Sequence, residues 1–171
     1  MSQGGIVNAA DINQLVTQAN FQAAPPLFIG VQTATTTSLT SGSWVSVTFS
    51  DAAGIIADTY GGHSTSTNPT RYTAKQAGYY LVWGAVCMAT NTTGSRGARI
   101  ALNGSAVRGA AQMLAPASGS NTSIATTPQP IFMNGTTDYV ELQGWQQSGG
   151  ALSTTVNGDV DTGLYVLYCH T

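Results

Sequence analysis

The sequence predicts an all-β protein, an antiparallel β-sandwich of the jelly-roll type preceded by a short N-terminal helix. Three observations carry that prediction. From Leu27 onward the chain is a series of about eight short apolar or alternating runs, each closed by a turn signal, the pattern of sandwiches and jelly rolls. No helical pattern recurs between those runs, which argues against a parallel α/β fold. Charged residues make up 7% of the 171 residues and hydrophobic ones 42%, whereas ordinary soluble domains carry roughly 25% charge. The polar part of the chain is therefore threonine, serine, asparagine and glutamine. Such a surface suits a protein packed against copies of itself or a larger assembly, and equally a neutral β-rich surface.

Residues 8–20, "NAADINQLVTQAN", read as the one helix. Asn8 can cap it, and Asp11 lies three residues on, where an acid favours the positive helix end. Ile12, Leu15, Val16 and Ala19 follow helical spacing. The stripe is narrow, so the helix needs a partner surface. Pro25-Pro26 then stops it and forms a stiff linker. This divides the chain into an anchor and linker, residues 1–26, and a head, residues 27–171.

Within the head, Trp44–Phe49 alternates with period two, as a half-buried strand does. Residues 79–88 are apolar on both faces, as in an internal strand. Arg99–Leu102 ends at Asn103-Gly104, a hairpin signal. Asn134-Gly135 separates Ile131-Phe132 from Tyr139–Leu142 in the same way. Residues 115–128 read as a long surface loop. Asn157-Gly158 marks another turn, and Gly163–Tyr168 closes the sandwich.

Composition excludes several function classes. Five Lys/Arg residues are scattered and the net charge is −2, so no basic face for nucleic acid is formed. The longest apolar run, "YYLVWGAVCMA", is too short to span a bilayer. The opening "MSQGGIVNAADINQ" lacks the basic start and apolar core of a secretory signal. Cys87 and Cys169 form no metal-binding pattern and read as small buried hydrophobes in strands. A bridge between them would require neighbouring strands.

The side chains that could carry chemistry are few. His63 follows Asp58 in "DTYGGHS", but nothing marks a nucleophile, and the segment reads as a surface turn. Asn157, Asp159 and Asp161 have the alternating spacing of a calcium loop, but the glycine and the terminal glutamate of such a loop are missing. The same spacing places all three on the solvent face of a strand. Asp138 and Glu141 fall on opposite strand faces and form no acid–base pair. Of the three tryptophans, Trp83 reads as packing, and Trp145 as the exposed aromatic of a candidate ligand loop. No catalytic residue, metal or cofactor is expected.

Four stretches resemble a known family. "YTAKQAGYYLVWGAV" resembles the Gly-Tyr-Tyr strand of the complement globular-head and tumour-necrosis-factor-like jelly rolls. "RIALNGSAV" resembles their next strand and hairpin. "TTDYVELQGWQQSGGAL" is similar to their Gly-Asp-x-Val-x-Leu strand, with Thr137 in place of the usual glycine, and "DTGLYVLY" to the closing strand. The order of the four, over roughly residues 40–169, agrees with the strand reading. A narrower resemblance is to small structural proteins of tailed bacteriophages, in which stretches like "IVNAADINQLV", "WVSVTFSDAAGIIADTYGGHS" and "TGSRGARIALNG" occupy these places. It implies a non-enzymatic homotrimer on the virion surface, made in the host cytoplasm, as a capsid decoration protein or short head fibre. The alternative is a tail-fibre tip that recognises a host glycan or protein. The implied roles are anchorage to the major capsid protein or another virion protein through Ile12, Leu15, Val16 and Ala19, and core or trimer contact through Tyr79, Tyr80, Trp83, Leu164, Tyr165, Leu167 and Tyr168. Which of these seven point inward depends on strand register.

Overall fold

The structure is a computed structural model that describes residues 8–171. Residues 1–7 of the expected anchor lie outside the described residues. Helix α1 (Ala9–Ala23) is followed by β1 (Leu27–Val31), β2 (Ser38–Leu39), β3 (Trp44–Ser46), β4 (Ile55–Asp58), β5 (Arg71–Thr73), β6 (Ala77–Met88) and β7 (Arg96–Leu102). Then come β8 (Ser105–Ala106), β9 (Gln112–Leu114), β10 (Thr122–Ala125), β11 (Gln129–Asn134), β12 (Tyr139–Gln146), β13 (Leu152–Ser153) and β14 (Gly163–His170).

The helix begins where the sequence places it. The Asn8 side chain accepts hydrogen bonds from the backbone of Ala10 at 2.8 Å and of Asp11 at 3.0 Å. The Asp11 carboxylate accepts the Asn8 N–H at 3.0 Å, completing a reciprocal capping box. The helix runs to Ala23, further than the periodicity over 8–20 predicts, because nothing breaks it before Pro25.

Two six-stranded sheets form a sandwich. The first has the order β10-β6-β14-β1-β4, with β11 beside β6 as well. The second has the order β3-β12-β7-β8, with β5 beside β12 and β9 beside β7. A small ribbon pairs β13 with β2. Every pairing of named strands is antiparallel. Phe28, Tyr80, Val82, Val86, Leu164 and Val166 of the first sheet meet Tyr72, Ile100, Val140 and Leu142 of the second in one core. Asn103 (φ 51°) and Gly104 (φ 78°) supply the two positive dihedrals of the tight turn between β7 and β8.

Several expectations are corrected. The 115–128 segment is not all loop: β10 lies inside it and pairs Ile124 with Val86. Its threonines and serines hid a strand that buries only Thr122 and Ile124. Trp145 lies in β12 rather than in a loop, half-buried beside Trp44 with ring centroids 6.3 Å apart. Asn157, Asp159 and Asp161 lie on a 3-10 turn rather than along a strand, because the Asp161 carboxylate accepts the Asn157 N–H at 2.7 Å and closes the chain on itself. Cys87 is buried, but Cys169 is exposed near the end of β14; both thiols are free. Their strands do neighbour one another, yet Cys169 lies in the register shift between the Tyr168–Tyr80 and His170–Tyr79 pairs, roughly 25 Å along the sheet from Cys87 at the usual strand rise.

Candidate assembly face

Strand β6 is internal, flanked by β14 on one edge and by β10 and β11 on the other. Both of its faces are apolar, but only one is covered. Tyr80, Val82, Val86 and Met88 point into the sandwich, while Tyr79, Leu81, Trp83 and Ala85 point away from it. Register extends this outer face across the sheet. Leu81 stands opposite Leu167, which stands opposite Leu27. Trp83 stands opposite Tyr165, which stands opposite Ile29. Phe132 stands opposite Tyr79. The Trp83 and Tyr165 rings stack at 5.3 Å, 8° from parallel, and Phe132 meets Tyr79 edge-on at 5.4 Å. No Lys, Arg, Asp or Glu occurs in β1, β6, β10, β11 or β14, and the one charged residue in the strands of this sheet, Asp58 at the end of β4, pairs with the core residue Phe28 and so lies on the inner side. An apolar sheet face without charged side chains is unusual for a surface left to water.

The seven core or trimer residues are thereby sorted. Tyr80, Leu164 and Tyr168 belong to the core, and Tyr79, Trp83, Tyr165 and Leu167 to the outer face. The Tyr80 hydroxyl donates to the Gln76 carbonyl at 2.7 Å. Burial, partly offset by that bond, pushes its phenol up to about 12. Phe132, Leu81, Leu27 and Ile29 complete the outer face and were missed in sequence. Ile131, Phe132 and Met133 are apolar in a row, so the sequence alone does not set Phe132 apart; the strand buries Ile131 and Met133 and exposes Phe132, and pairing it with Tyr79 requires the register.

The helix carries the second apolar surface. Ile12, Leu15 and Val16 are 51%, 62% and 51% exposed, and Ala19 is exposed as well. The helix touches the head through a residue off that stripe, Phe21, whose ring meets Tyr168 edge-on at 4.9 Å and Tyr60 at 6.3 Å. No helix of the described residues is long and apolar enough to cross a membrane.

The chemical candidates are not brought together. Asp58 accepts the backbone N–H groups of Gly62 and His63, each at 2.9 Å, and tightens a turn. The His63 ring nitrogens face the carbonyls of Arg71 at 2.7 Å and Phe49 at 2.8 Å, so the ring ties the start of β5 to the segment after β3 and hydrogen-bonds to no nucleophile. Asp138 accepts from Asn134 and Asn103, whereas Glu141 takes the Thr70 hydroxyl at 2.6 Å and pairs with Arg71 at 3.4 Å. Among the described residues no three His, Cys, Asp or Glu side chains are grouped to hold a metal ion.

No family model and no curated protein matches the chain. Among solved structures the fold is similar to murine APRIL, a tumour-necrosis-factor-family jelly roll. The pH 5.0 structure superposes with a TM-score of 0.59 at 13% identity, over 84% of this chain and 98% of that one. The pH 8.5 structure gives 0.58 at 10% identity, over 83% and 98%. The pH 8.0 structure gives 0.54 at 13% identity, over 84% and 98%. At that identity the likeness is one of fold, and the fold is a tumour-necrosis-factor-like jelly roll.

Proposed function

We propose that this chain is a non-enzymatic structural protein of a tailed-bacteriophage virion, a homotrimer of jelly rolls displayed on the virion surface as a capsid decoration protein or short head fibre. The observation that carries the assembly part is the charge-free outer face of the first sheet, with Trp83 stacked on Tyr165 and Tyr79 beside Phe132. Packing three such faces around an axis removes them from water, and full burial of each large side chain is worth about 1.5–3 kcal/mol. The virion part is supported by the sequence resemblance, which takes in helix α1. Its stripe of Ile12, Leu15, Val16 and Ala19 is turned to solvent and offers a contact for the major capsid protein or another virion protein.

Light scattering on the purified chain should report three copies, and Trp83→Glu should yield a folded monomer with unchanged far-ultraviolet circular dichroism. A monomeric parent protein would sink the trimer. Deleting residues 1–24 should leave the trimer intact and abolish co-sedimentation with particles, and retained binding would overturn the anchor. Gold labelling of particles separates head from tail. Label at the tail tip would favour attachment to a host surface instead.

A further inference from the structure

The geometry points to a second, unrelated site: a polar cleft at the rim of the second sheet that binds an acidic saccharide, a sugar bearing a carboxylate, sulfate or phosphate. The cleft has a volume of about 410 Å³, within the range of small-molecule sites and several times the volume of a lone inorganic anion. Its floor is the end of β5 and the residues that follow it. One wall is the loop after β4, and the other is the turn between β11 and β12.

The chain has five Lys/Arg residues, and two of them, Arg71 and Lys75, line this one cleft, whose lining includes no Asp or Glu. Arg71 is held for use. Its guanidinium lies 3.9 Å over the Tyr139 ring, and its Nε donates to Glu141 at 3.4 Å. Among the described residues its two terminal nitrogens and the Lys75 ammonium make no hydrogen bond to protein. A stacked guanidinium with its outer fork free matches the planar or tetrahedral oxygens of an acid group.

The rest of the lining suits the remainder of a sugar. Thr73, Thr136, Thr137 and the Tyr139 phenol offer hydroxyl groups, and Asn68 offers an amide. These groups exchange hydrogen bonds with ring hydroxyls and leave little for a purely apolar ligand. Two cations on this cleft are too few for a nucleic-acid backbone.

Both walls are set in advance. Asp58 pins the Gly62 and His63 amides, and a side chain at Gly62 would stand 2.4 Å from the Tyr72 ring. On the opposite wall Asn134 Oδ1 accepts the N–H groups of Thr136, Thr137 and Asp138 at 2.9, 2.9 and 3.1 Å. Asn68 holds φ at 52°, a left-handed conformation that only Asn103 shares among the described non-glycine residues. Asn103 serves its hairpin, and Asn68 serves the turn in which its carbonyl accepts the Arg71 N–H at 3.1 Å, which brings Arg71 to the cleft. A preorganised wall spares the ligand the cost of ordering it. None of the residues used here belongs to the outer face of the first sheet, so the cleft is independent of the trimer.

The test is ligand-observed NMR on the full chain with matched pairs: 3′-sialyllactose and lactose, galactose 6-sulfate and galactose, glucose 6-phosphate and glucose. At least one acidic member should bind at least tenfold more tightly than its neutral partner, weaken with salt, and lose tenfold or more in Lys75→Glu, a change at an exposed position with no partner in the fold. Equal binding of the neutral sugars, no binding of any acidic member, or binding undiminished in Lys75→Glu overturns the site. Inorganic sulfate and phosphate are run alongside. If either binds as tightly as the matching sugar ester, the cleft is a bare anion site and the saccharide assignment fails.

Discussion

Asp51 shows how one side chain can hold a loop that no local pattern announces. Its carboxylate accepts the Thr35 hydroxyl at 2.6 Å and the N–H groups of Thr35, Ala34 and Thr33 at 2.7, 2.9 and 3.2 Å. The Thr35 hydroxyl first, and then the three amides, hold it down at about 2, against an ordinary 3.8. Because the folded value is the lower one, the stabilisation is complete above the ordinary value and is lost as pH falls toward the folded one. We expect the melting temperature to drop more steeply for the parent protein than for Asp51→Asn between about pH 4 and about pH 2, with the variant the less stable of the two near neutrality. Parallel melting curves for the two proteins across that window would show that the carboxylate carries nothing. At this scale legibility depends on distance along the chain. The Asn8 cap was readable because its partners are within three residues; the partners of Asp51 come from 16 to 18 residues away. Arg71 and Lys75 were visible as scattered charges, and only the fold brings them to one cleft.

Elements were legible in proportion to how much apolar side chain they carry. Strands β6, β12 and β14 announced themselves, since each buries several large residues. Strand β10 buries two residues within a threonine- and serine-rich run, which by sequence alone has the look of a loop. The alternating Asn157, Asp159 and Asp161 fit a strand period, but a turn closed by Asp161 wins locally. The helix was legible from its cap and its stripe, but its seat on the head was not, because Phe21 lies off that stripe. A helix of 15 residues is marginal in isolation, and its two edge-on ring contacts are worth about 0.5–1.5 kcal/mol each. Phe21→Ala should therefore lower the melting of the helical signal at 222 nm while the near-ultraviolet signal of the head moves little. If both transitions fall together, the helix is part of the head's cooperative unit and is not a separable anchor.

At the scale of the whole molecule, the burst of large side chains in β6 and β14 makes sense only with both faces of the first sheet in view. One face closes the sandwich, and the other, equally apolar, is left partly open by a single chain. Sequence could name the residues but not divide them, because a one-residue shift of register exchanges the faces. Two leucines of the same strand now provide a controlled comparison: Leu164 is fully buried in the core, and Leu167 is 36% exposed on the outer face. If three copies cover that face, unfolding is coupled to dissociation and the melting temperature rises with protein concentration. Leu164→Ala should cost about 2–5 kcal/mol through the cavity it leaves, yet preserve the concentration dependence. Leu167→Lys should leave the sandwich folded and remove the concentration dependence, because a charge on each copy opposes closure around the axis. Differential scanning calorimetry over a hundredfold range of concentration reads both effects. A melting temperature of the parent protein that ignores concentration, or a Leu167→Lys variant that keeps the dependence, would show that the outer face is not where the copies meet.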